Sequence, residues 1–152
     1  MTTKDKEVQA VQDALSVIVR WARLPFYLEI GERAGFQYDR SAIAILSMLG
    51  DGAEMRHSEL AETLGIDRST ISRQVASVVK AGLVKGRPDA TDKRATLLSL
   101  TEEGQRVRDR NGGAWRSIVE ELLEPLTASE RSQLAKLMPK LTTRLQASVP
   151  PR

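Results

Sequence analysis

The segment from His57 to Gly82 constrains the fold most, because it holds two short amphipathic patterns with a glycine between them. The apolar positions recur at helical spacing: Leu60, Ala61 and Leu64 in the first pattern, and Ile71, Val75 and Val78 in the second. Gly65 readily adopts the positive φ that a tight turn requires. Asp67 offers a side-chain oxygen to the free amides that open the second helix. The segment therefore predicts a helix-turn-helix.

The pattern changes after the second predicted helix. Gly82 should end that helix as a left-handed residue, with Leu83 folding back onto the last turn. Residues 83–87 and 95–100 are short β-permissive runs, and the turn-rich, charged segment 88–94 separates them. A β-hairpin appended to a helix-turn-helix is called a wing, so this region predicts a winged helix.

Three stretches between residues 58 and 104 carry a resemblance to a known family. They read SELAETLGIDRSTISRQV, KAGLVKGRPDATDKRA and LSLTEEG. In this order and at this spacing they resemble the winged-helix core of the MarR family of bacterial transcriptional regulators. The D-x-R signature of that family's wing is present as Asp92, Lys93 and Arg94. The resemblance implies a mainly α fold with a small β-hairpin wing and helical dimerisation arms.

Length and composition agree with one domain. A chain of 152 residues is long enough to bury its own core. We expect residues 1–152 to form a single MarR-type domain, with a winged helix-turn-helix lobe at 39–104 and a helical dimerisation region at 1–36 and 105–147. No apolar run reaches the roughly 18 residues of a membrane span, and the polar start is unlike a signal peptide. A cytoplasmic protein without membrane contact is expected.

The composition argues against a catalytic site and against a bound transition metal. Cysteine is absent and His57 is the single histidine, so one chain offers too few nitrogen and sulfur ligands for a transition metal. The sequence contains no paired nucleophile and base and no glycine loop that cradles phosphate. We therefore expect neither an enzyme nor a cofactor.

Apolar stripes continue on the N-terminal side of the winged helix. Residues 4–30 carry such a stripe at helical spacing, which predicts a long first helix. Pro25 should kink or break this helix, because proline lacks the backbone donor. Residues 31–38 are then expected to connect to a short, very apolar helix, with Asp39 as its N-cap.

The C-terminal arm has similar stripes. Thr101 should cap a helix that reaches about Glu124, and Thr127 should open a last helix to about Ala147, with a kink at Pro139. The two arms together carry more apolar surface than one winged helix covers. A twofold dimer would cover it, as the resemblance also implies, and would read a palindrome with half-sites about one helical turn apart.

The outer face of the second helix of the helix-turn-helix is expected to read double-stranded DNA. That face carries three small residues, Ser69, Ser72 and Ala76, and one long side chain, Arg73. Arg73 is expected to bond a guanine edge through two parallel hydrogen bonds. Phosphate or secondary base contacts are expected from Arg68, Thr70, Gln74 and Ser77. Ser58 is expected to hold a phosphate at the start of the preceding helix.

The wing is expected to add a second set of contacts. The resemblance implies that Arg94 enters the minor groove and that Asp92 fixes its orientation. Lys93 and Arg87 should contact phosphates. Residues 56–100 contain eight basic and five acidic residues, whereas the rest of the chain is balanced. This excess lies on the lobe assigned to DNA, although an ordinary solvated surface also carries such an excess.

The aromatic residues near Pro25 have two interpretations. Trp21, Phe26 and Tyr27 either pack in the core or form one wall of a small-molecule pocket. The resemblance favours a regulator that responds to a ligand, and Arg20 and Arg23 are placed to pair with a carboxylate. The hypothesis is a small aromatic or phenolic ligand, with another metabolite or no ligand as the alternatives. The residues expected to bind it are Arg20, Trp21, Arg23 and Tyr27.

Two other functions are compatible with a winged helix. One is a protein-interaction module, since a fold does not determine a function; such a module has no reason to combine an exposed Arg73 with Arg94 at a charged wing tip. The other is a nucleoid-type architectural DNA binder, which would show weak preference among sequences. The sequence favours a ligand-responsive repressor that binds a palindromic operator as a homodimer.

Overall fold

The computed structural model describes residues 2–22, 25–35, 38–50, 52–92 and 94–148. The helices in these ranges are α1 (Thr3–Trp21), α2 (Pro25–Ala34), α3 (Arg40–Met48), α4 (His57–Leu64), α5 (Arg68–Lys80), α6 (Glu102–Leu123) and α7 (Ala128–Ser148). The strands are β1 (Met55–Arg56), β2 (Val84–Pro88) and β3 (Thr96–Leu100). The predicted mainly α fold with a β-hairpin wing is confirmed. None of the described helices combines the length and the apolarity needed to cross a bilayer.

Helices α4 and α5 form the predicted helix-turn-helix. Gly65 ends α4 in the left-handed conformation, with φ of 64°. The Asp67 carboxylate accepts a hydrogen bond of 2.9 Å from the amide of Thr70 at the start of α5. At the other end of α5, Gly82 has φ of 74° and the amide of Leu83 donates back to the last turn. The signals that begin and end these helices are all local in the sequence.

One core joins α3, α4, α5, the sheet and the first turns of α6. The inward stripe predicted for α5 is buried, since Ile71, Val75 and Val78 are 0 to 2% exposed. The other buried members of this core are Ala42, Ile45, Leu46, Leu49, Leu60, Ala61, Leu83, Val84, Leu98 and Val107. Because α5 is anchored by its apolar face, its opposite face is held toward solvent.

The wing belongs to a three-stranded antiparallel sheet with the order β1-β3-β2. In the register, Arg56 of β1 and Arg87 of β2 both lie opposite Leu97 of β3. The loop between β2 and β3 is closed by a 3.0 Å hydrogen bond from the amide of Asp89 to the carbonyl of Ala95. The short β1 therefore connects the start of α4 to the wing.

Pro25 breaks the first predicted helix in two, and α2 begins at that residue. Proline fits the first turn of a helix because its missing donor would have no partner there. The expectation that residues 31–38 form only a connection was wrong, because α2 continues through Gly31 to Ala34. Ile30 and Ala34 are buried against α6, and this packing offsets the low helix propensity of glycine.

A smaller core lies between α2 and α6. Its buried members are Ile30, Ala34, Ala114 and Ile118. Trp115 of α6 joins two of the aromatic residues near the break: its ring centroid lies 4.8 Å from that of Phe26 and 6.1 Å from that of Trp21. The Phe26 and Trp115 rings meet edge to face, a favourable arrangement. Trp21, Phe26 and Trp115 therefore pack together at the edge of this core.

The caps predicted for the C-terminal helices are confirmed. The Thr101 hydroxyl accepts a 3.0 Å hydrogen bond from the amide of Gly104 at the start of α6. At the start of α7, Thr127 and Glu130 form a capping box, in which each side chain accepts from the backbone amide of the other residue. Pro139 lies inside α7, which continues to Ser148.

The outer helices α1 and α7 contain no buried residue. Large apolar side chains on these helices and at the end of α6 are 37 to 59% exposed: Val8, Val11, Val17, Ile18, Val19, Leu122, Leu134, Leu137, Met138 and Leu145. On α1, Val8, Val11, Leu15 and Val19 line one shallow apolar groove. A single chain leaves this groove without an apolar partner.

Gly104 is expected to tolerate no side chain. A Cβ at this position would lie 1.9 Å from the carbonyl oxygen of Leu83, which also accepts the amide of Thr101 at 3.0 Å. Gly104→Ala should therefore lower the free energy of unfolding by about 1 to 3 kcal/mol, the usual cost of overpacking. Urea denaturation at one fixed protein concentration measures this free energy of unfolding. The control is Gly113→Ala in open space on the same helix, which should be neutral or stabilising; equal losses in both variants would contradict the prediction.

Candidate nucleic-acid interface

Helix α5 presents its predicted outer face to solvent. The side chains of Ser69, Ser72, Arg73 and Ala76 are all exposed. Arg73 has no hydrogen-bond or ion-pair partner within the described part of the chain. Its guanidinium is therefore available for the planar, two-bond recognition that a guanine edge or a phosphate offers.

The hydroxyl groups at the start of α5 are engaged in its N-cap. Ser69 Oγ donates to Asp67 Oδ1 at 2.5 Å, and Thr70 Oγ1 donates to Asp67 Oδ2 at 2.6 Å. These two hydroxyls, together with the amide of Thr70, hold the pKa of the Asp67 carboxyl well below its usual value. In this state each hydroxyl has lone pairs free but no proton to give to a phosphate. Their first role is to fix the entry into α5.

The remaining predicted contacts on α5 differ in exposure. Ser77 is exposed, whereas Thr70 and Gln74 are half-buried. Gln74 Oε1 is buried without a hydrogen-bond partner. Ser72 is exposed, and its hydroxyl donates to the carbonyl of Arg68 at 2.8 Å. A contact between DNA and Gln74 Oε1 would require this oxygen to become exposed.

A depression of about 360 Å³ lies between the starts of α4 and α5 and the wing. Five residues that the sequence assigned to DNA contacts line it together: Ser58, Arg68, Ser72, Asp92 and Arg94. They come from two helices and a loop that are well separated in the sequence. Arg56 and His57 also line this depression, although the sequence singled out neither as a contact. Their one available signal was their position directly before Ser58.

Asp92 shapes the backbone of the loop that carries Arg94. Its Oδ1 accepts a 3.0 Å hydrogen bond from the amide of Arg94, and its carbonyl accepts the amide of Ala95 at 2.8 Å. The Arg94 side chain is exposed at the wing tip. The acid therefore orients Arg94 through the main chain of the tip. Lys93, predicted as a phosphate contact, lies outside the described residues.

Arg87 is held by a partner that the sequence did not indicate. Its Nε donates to Glu54 Oε1 at 2.8 Å, and a second nitrogen of the guanidinium bonds the other carboxylate oxygen. This pair lowers the pKa of Glu54 and raises that of Arg87. The predicted phosphate contact of Arg87 would have to compete with Glu54. The pair joins residues on either side of α4 and α5, so no local pattern reveals it.

The cavity nearest the aromatic residues differs from the predicted ligand site. It has a volume of about 660 Å³ and lies between α2, α3 and α6, with Phe26, Arg40, Arg108 and Trp115 among its lining residues. Arg20 is exposed on α1, and Trp21 packs behind Phe26; neither lines this cavity. Arg23 and the side chain of Tyr27 lie outside the described part of the structure.

Neither the interface nor this cavity resembles a metal centre. Among the residues that the structure describes, no three His, Asp or Glu side chains converge as a metal site would require. The polar side chains gathered at the interface include the guanidinium groups of Arg56, Arg68 and Arg94 and the hydroxyls of Ser58 and Ser72. These groups bind phosphate oxygens and base edges.

Comparison with known proteins gives one consistent family. A sequence profile of the MarR family matches residues 36–95. The HTH-type transcriptional regulator YxaD of Bacillus subtilis is 25% identical over 134 residues, which are 88% of this chain and 92% of YxaD. The crystal structure of the PcaV transcriptional regulator from Streptomyces coelicolor, in complex with its natural ligand, is 28% identical with a TM-score of 0.62, over 83% of this chain and 89% of PcaV.

A second similar structure shares the fold at lower identity. FabT of Streptococcus pneumoniae, solved in complex with DNA, is 14% identical with a TM-score of 0.78, over 92% of this chain and 98% of FabT. The winged helix, the exposed face of α5 and the matching sequence profile lead to one assignment. By profile, sequence and fold, this chain is similar to the MarR family of DNA-binding regulators of transcription.

Proposed function

We propose that this protein is a repressor that binds a palindromic DNA operator as a homodimer and releases it when a small aromatic acid binds. One observation carries the DNA-binding part: Arg94 of the wing and Arg68 of α5 lie around the same depression as Ser58 at the start of α4. The exposed Arg73 lies on the adjacent helical face. These groups form one surface that suits a phosphate backbone and an adjoining groove.

In this proposal α5 enters the major groove. The small side chains of Ser69, Ser72 and Ala76 allow the helix to approach closely, and Arg73 bonds a guanine through two parallel hydrogen bonds. Arg94 enters the neighbouring minor groove, where the negative potential of a narrow groove attracts a guanidinium. Phosphate contacts come from Ser58 and Arg68. Further contacts are assigned to Thr70, Gln74, Ser77, Arg87 and Lys93.

The homodimer is supported by the apolar faces of the outer helices. Neither α1 nor α7 buries a residue within one chain, although both carry Val, Leu or Ile side chains in rows. We assign residues 1–36 and 105–147 to dimerisation. A twofold axis through this region would place two copies of α5 roughly 34 Å apart, the spacing of successive major grooves. Because its partner is chromosomal DNA, we place the protein in the cytoplasm.

The ligand site is assigned to the cavity between α2, α3 and α6. Phe26 and Trp115 give it an aromatic wall, and Arg40 and Arg108 add positive charge to its lining. Asp109 also lines the cavity and accepts from Arg108 Nε at 3.2 Å, so an anionic ligand would share Arg108 with this acid. Its volume of about 660 Å³ suits a small molecule. PcaV, which was solved with its natural ligand, supports a ligand-responsive reading. Since α3 packs in the core of the DNA lobe, a ligand here would change operator affinity through a coupling of about 1 to 3 kcal/mol.

An aromatic carboxylate that fills this cavity is expected to raise the melting temperature by about 2 to 4 °C at about five times its dissociation constant. Differential scanning fluorimetry of hydroxybenzoates and related acids measures the shift. The matched control is Ala44→Leu, which fills the cavity from α3 and should abolish the shift. If no acid raises the melting temperature and none weakens operator binding, the ligand-responsive part of the proposal is wrong.

The DNA-binding part is tested with duplexes that the wild-type protein selects from a randomised pool. Fluorescence anisotropy then compares wild type with variants of Arg73 and Arg94. Specific binding that depends on both residues supports the proposal. Equal affinity for selected and unrelated duplexes would indicate a nucleoid-type architectural binder instead.

A further inference from the structure

A closed set of hydrogen bonds ties the start of α4 to the wing loop. Arg56 Nε donates to Asp89 Oδ2 at 2.8 Å, and a terminal nitrogen of the same guanidinium bonds the same oxygen. Asp89 Oδ1 accepts both the amide and the hydroxyl of Thr91, each at 2.8 Å. The Arg56 guanidinium also donates to Thr91 Oγ1 at 3.1 Å. Three side chains from two parts of the chain thus bond one another.

Among the residues that the structure describes, Asp89 is the charged residue that is buried, with 5% exposure. A carboxylate removed from water is costly unless it is paired and hydrogen-bonded, and here all the bonds come from Thr91 and Arg56. The same bonds, those of Thr91 first, hold the pKa of the Asp89 carboxyl well below its usual value. The carboxylate therefore stays ionised and bonded at neutral pH.

These hydrogen bonds lie between the helix-turn-helix and the wing loop. Asp89 is the first residue after β2, and the loop that it begins carries Asp92 and Arg94. Arg56 is the N-cap residue of α4 and belongs to β1, so it is fixed to the helix-turn-helix. The bond between Arg56 and Asp89 therefore sets the wing tip relative to the two helices that flank the depression.

We propose that Arg56, Asp89 and Thr91 are positioning residues, which hold the wing loop so that Arg94 meets the minor groove in register with α5. They act on operator affinity through Arg94. A loop that is already ordered loses less conformational entropy when it binds. Two of the guanidinium nitrogens of Arg56 donate to Asp89 or Thr91, so this arginine restrains the wing loop. The inference rests on the proposed contact of Arg94 with DNA.

A double-mutant cycle with Arg94 tests this role. Thr91→Val removes a hydroxyl from the set at unchanged charge, and Arg56→Gln removes the guanidinium. Each variant should weaken binding to the selected duplex about fivefold, a usual size for the coupling of neighbouring groups. In an Arg94→Ala background, either substitution should change affinity by less than about twofold. The matched control is Thr63→Val on the exposed face of α4, which should leave affinity unchanged.

A measurement on the free protein complements the cycle. The amide of Thr91 donates to Asp89, so hydrogen exchange in the wing loop should become faster in Arg56→Gln than in the wild type or in Thr63→Val. If Arg56→Gln and Thr91→Val weaken binding equally with and without Arg94, or do not weaken it at all, the positioning role is overturned. If Arg94→Ala alone has no effect, the proposed minor-groove contact fails as well, while loss of binding in Arg73→Ala still tests DNA recognition by α5.

Discussion

Replacing Arg73 and Arg94 together by alanine is expected to weaken operator binding by about three orders of magnitude. A bidentate contact between arginine and guanine contributes about 1 to 3 kcal/mol of discrimination, and a homodimer makes it twice. Loss of Arg94 removes a second charge from each half-site. Arg73 is exposed without a partner in the described chain, and Arg94 is exposed at the wing tip, so neither substitution disturbs the core.

Anisotropy titrations of the single and double variants separate the two roles. Arg73→Ala should relax the preference at one base pair of each half-site, whereas Arg94→Ala should weaken binding to every duplex similarly. The matched control is Lys80→Ala with Lys85→Ala, which removes the same charge from exposed positions that are assigned no contact with DNA. For wild type, affinity should fall roughly 10³- to 10⁵-fold between 50 and 200 mM salt, given six to ten phosphate contacts. Undiminished binding by the Arg73 and Arg94 double variant would favour the protein-interaction module.

Glutamate at both Val11 and Val19 is expected to convert the proposed homodimer into a folded monomer and to lower operator affinity about 10²- to 10⁴-fold. These side chains are 51 and 58% exposed within one chain and line the apolar groove of α1. Burial of an unpaired carboxylate in an apolar interface is costly, so the subunits should separate. A monomer loses the gain in effective concentration that links the two half-sites.

Analytical ultracentrifugation gives the mass of each variant, and anisotropy gives its affinity for whole and half operators. The control is Ala10→Glu with Val17→Glu, which adds the same charge to the opposite face of α1, where Val17 is 55% exposed. The control should remain a dimer with unchanged affinity. A wild-type protein that is monomeric at the concentrations of tight binding would contradict the proposed homodimer.

The helix-turn-helix could be predicted from the sequence because its signals are local. Gly65 and Gly82 have the positive φ expected of them, and Asp67 caps α5 through its own side chain. The inward stripe of α5 is buried, which follows from helical spacing alone. Hence the exposed position of Arg73 was also predictable: a residue on the face opposite a buried stripe must face solvent.

Ion pairs between residues far apart in the sequence could not be predicted in this way. The sequence predicted a phosphate contact for Arg87 and no specific role for Arg56, yet Arg56 is bonded to Asp89 and Arg87 to Glu54. Each pair joins residues on either side of α4 and α5, and their proximity exists only after β1 and the wing form one sheet. Trp115 is a similar case, since α6 brings it to Phe26 from a distant part of the sequence. Local patterns carry no information about such partners.

The sequence by itself determined the order of the helices, the turn between α4 and α5, the wing and the polar face that carries Arg73, because caps, positive φ and helical periodicity act over a few residues. Only the tertiary structure decided which cations stay available for DNA, where the loop of Arg94 is anchored and where a ligand cavity opens. Those properties depend on contacts between elements that are far apart in the chain. Such contacts form only when the sheet and the two cores assemble.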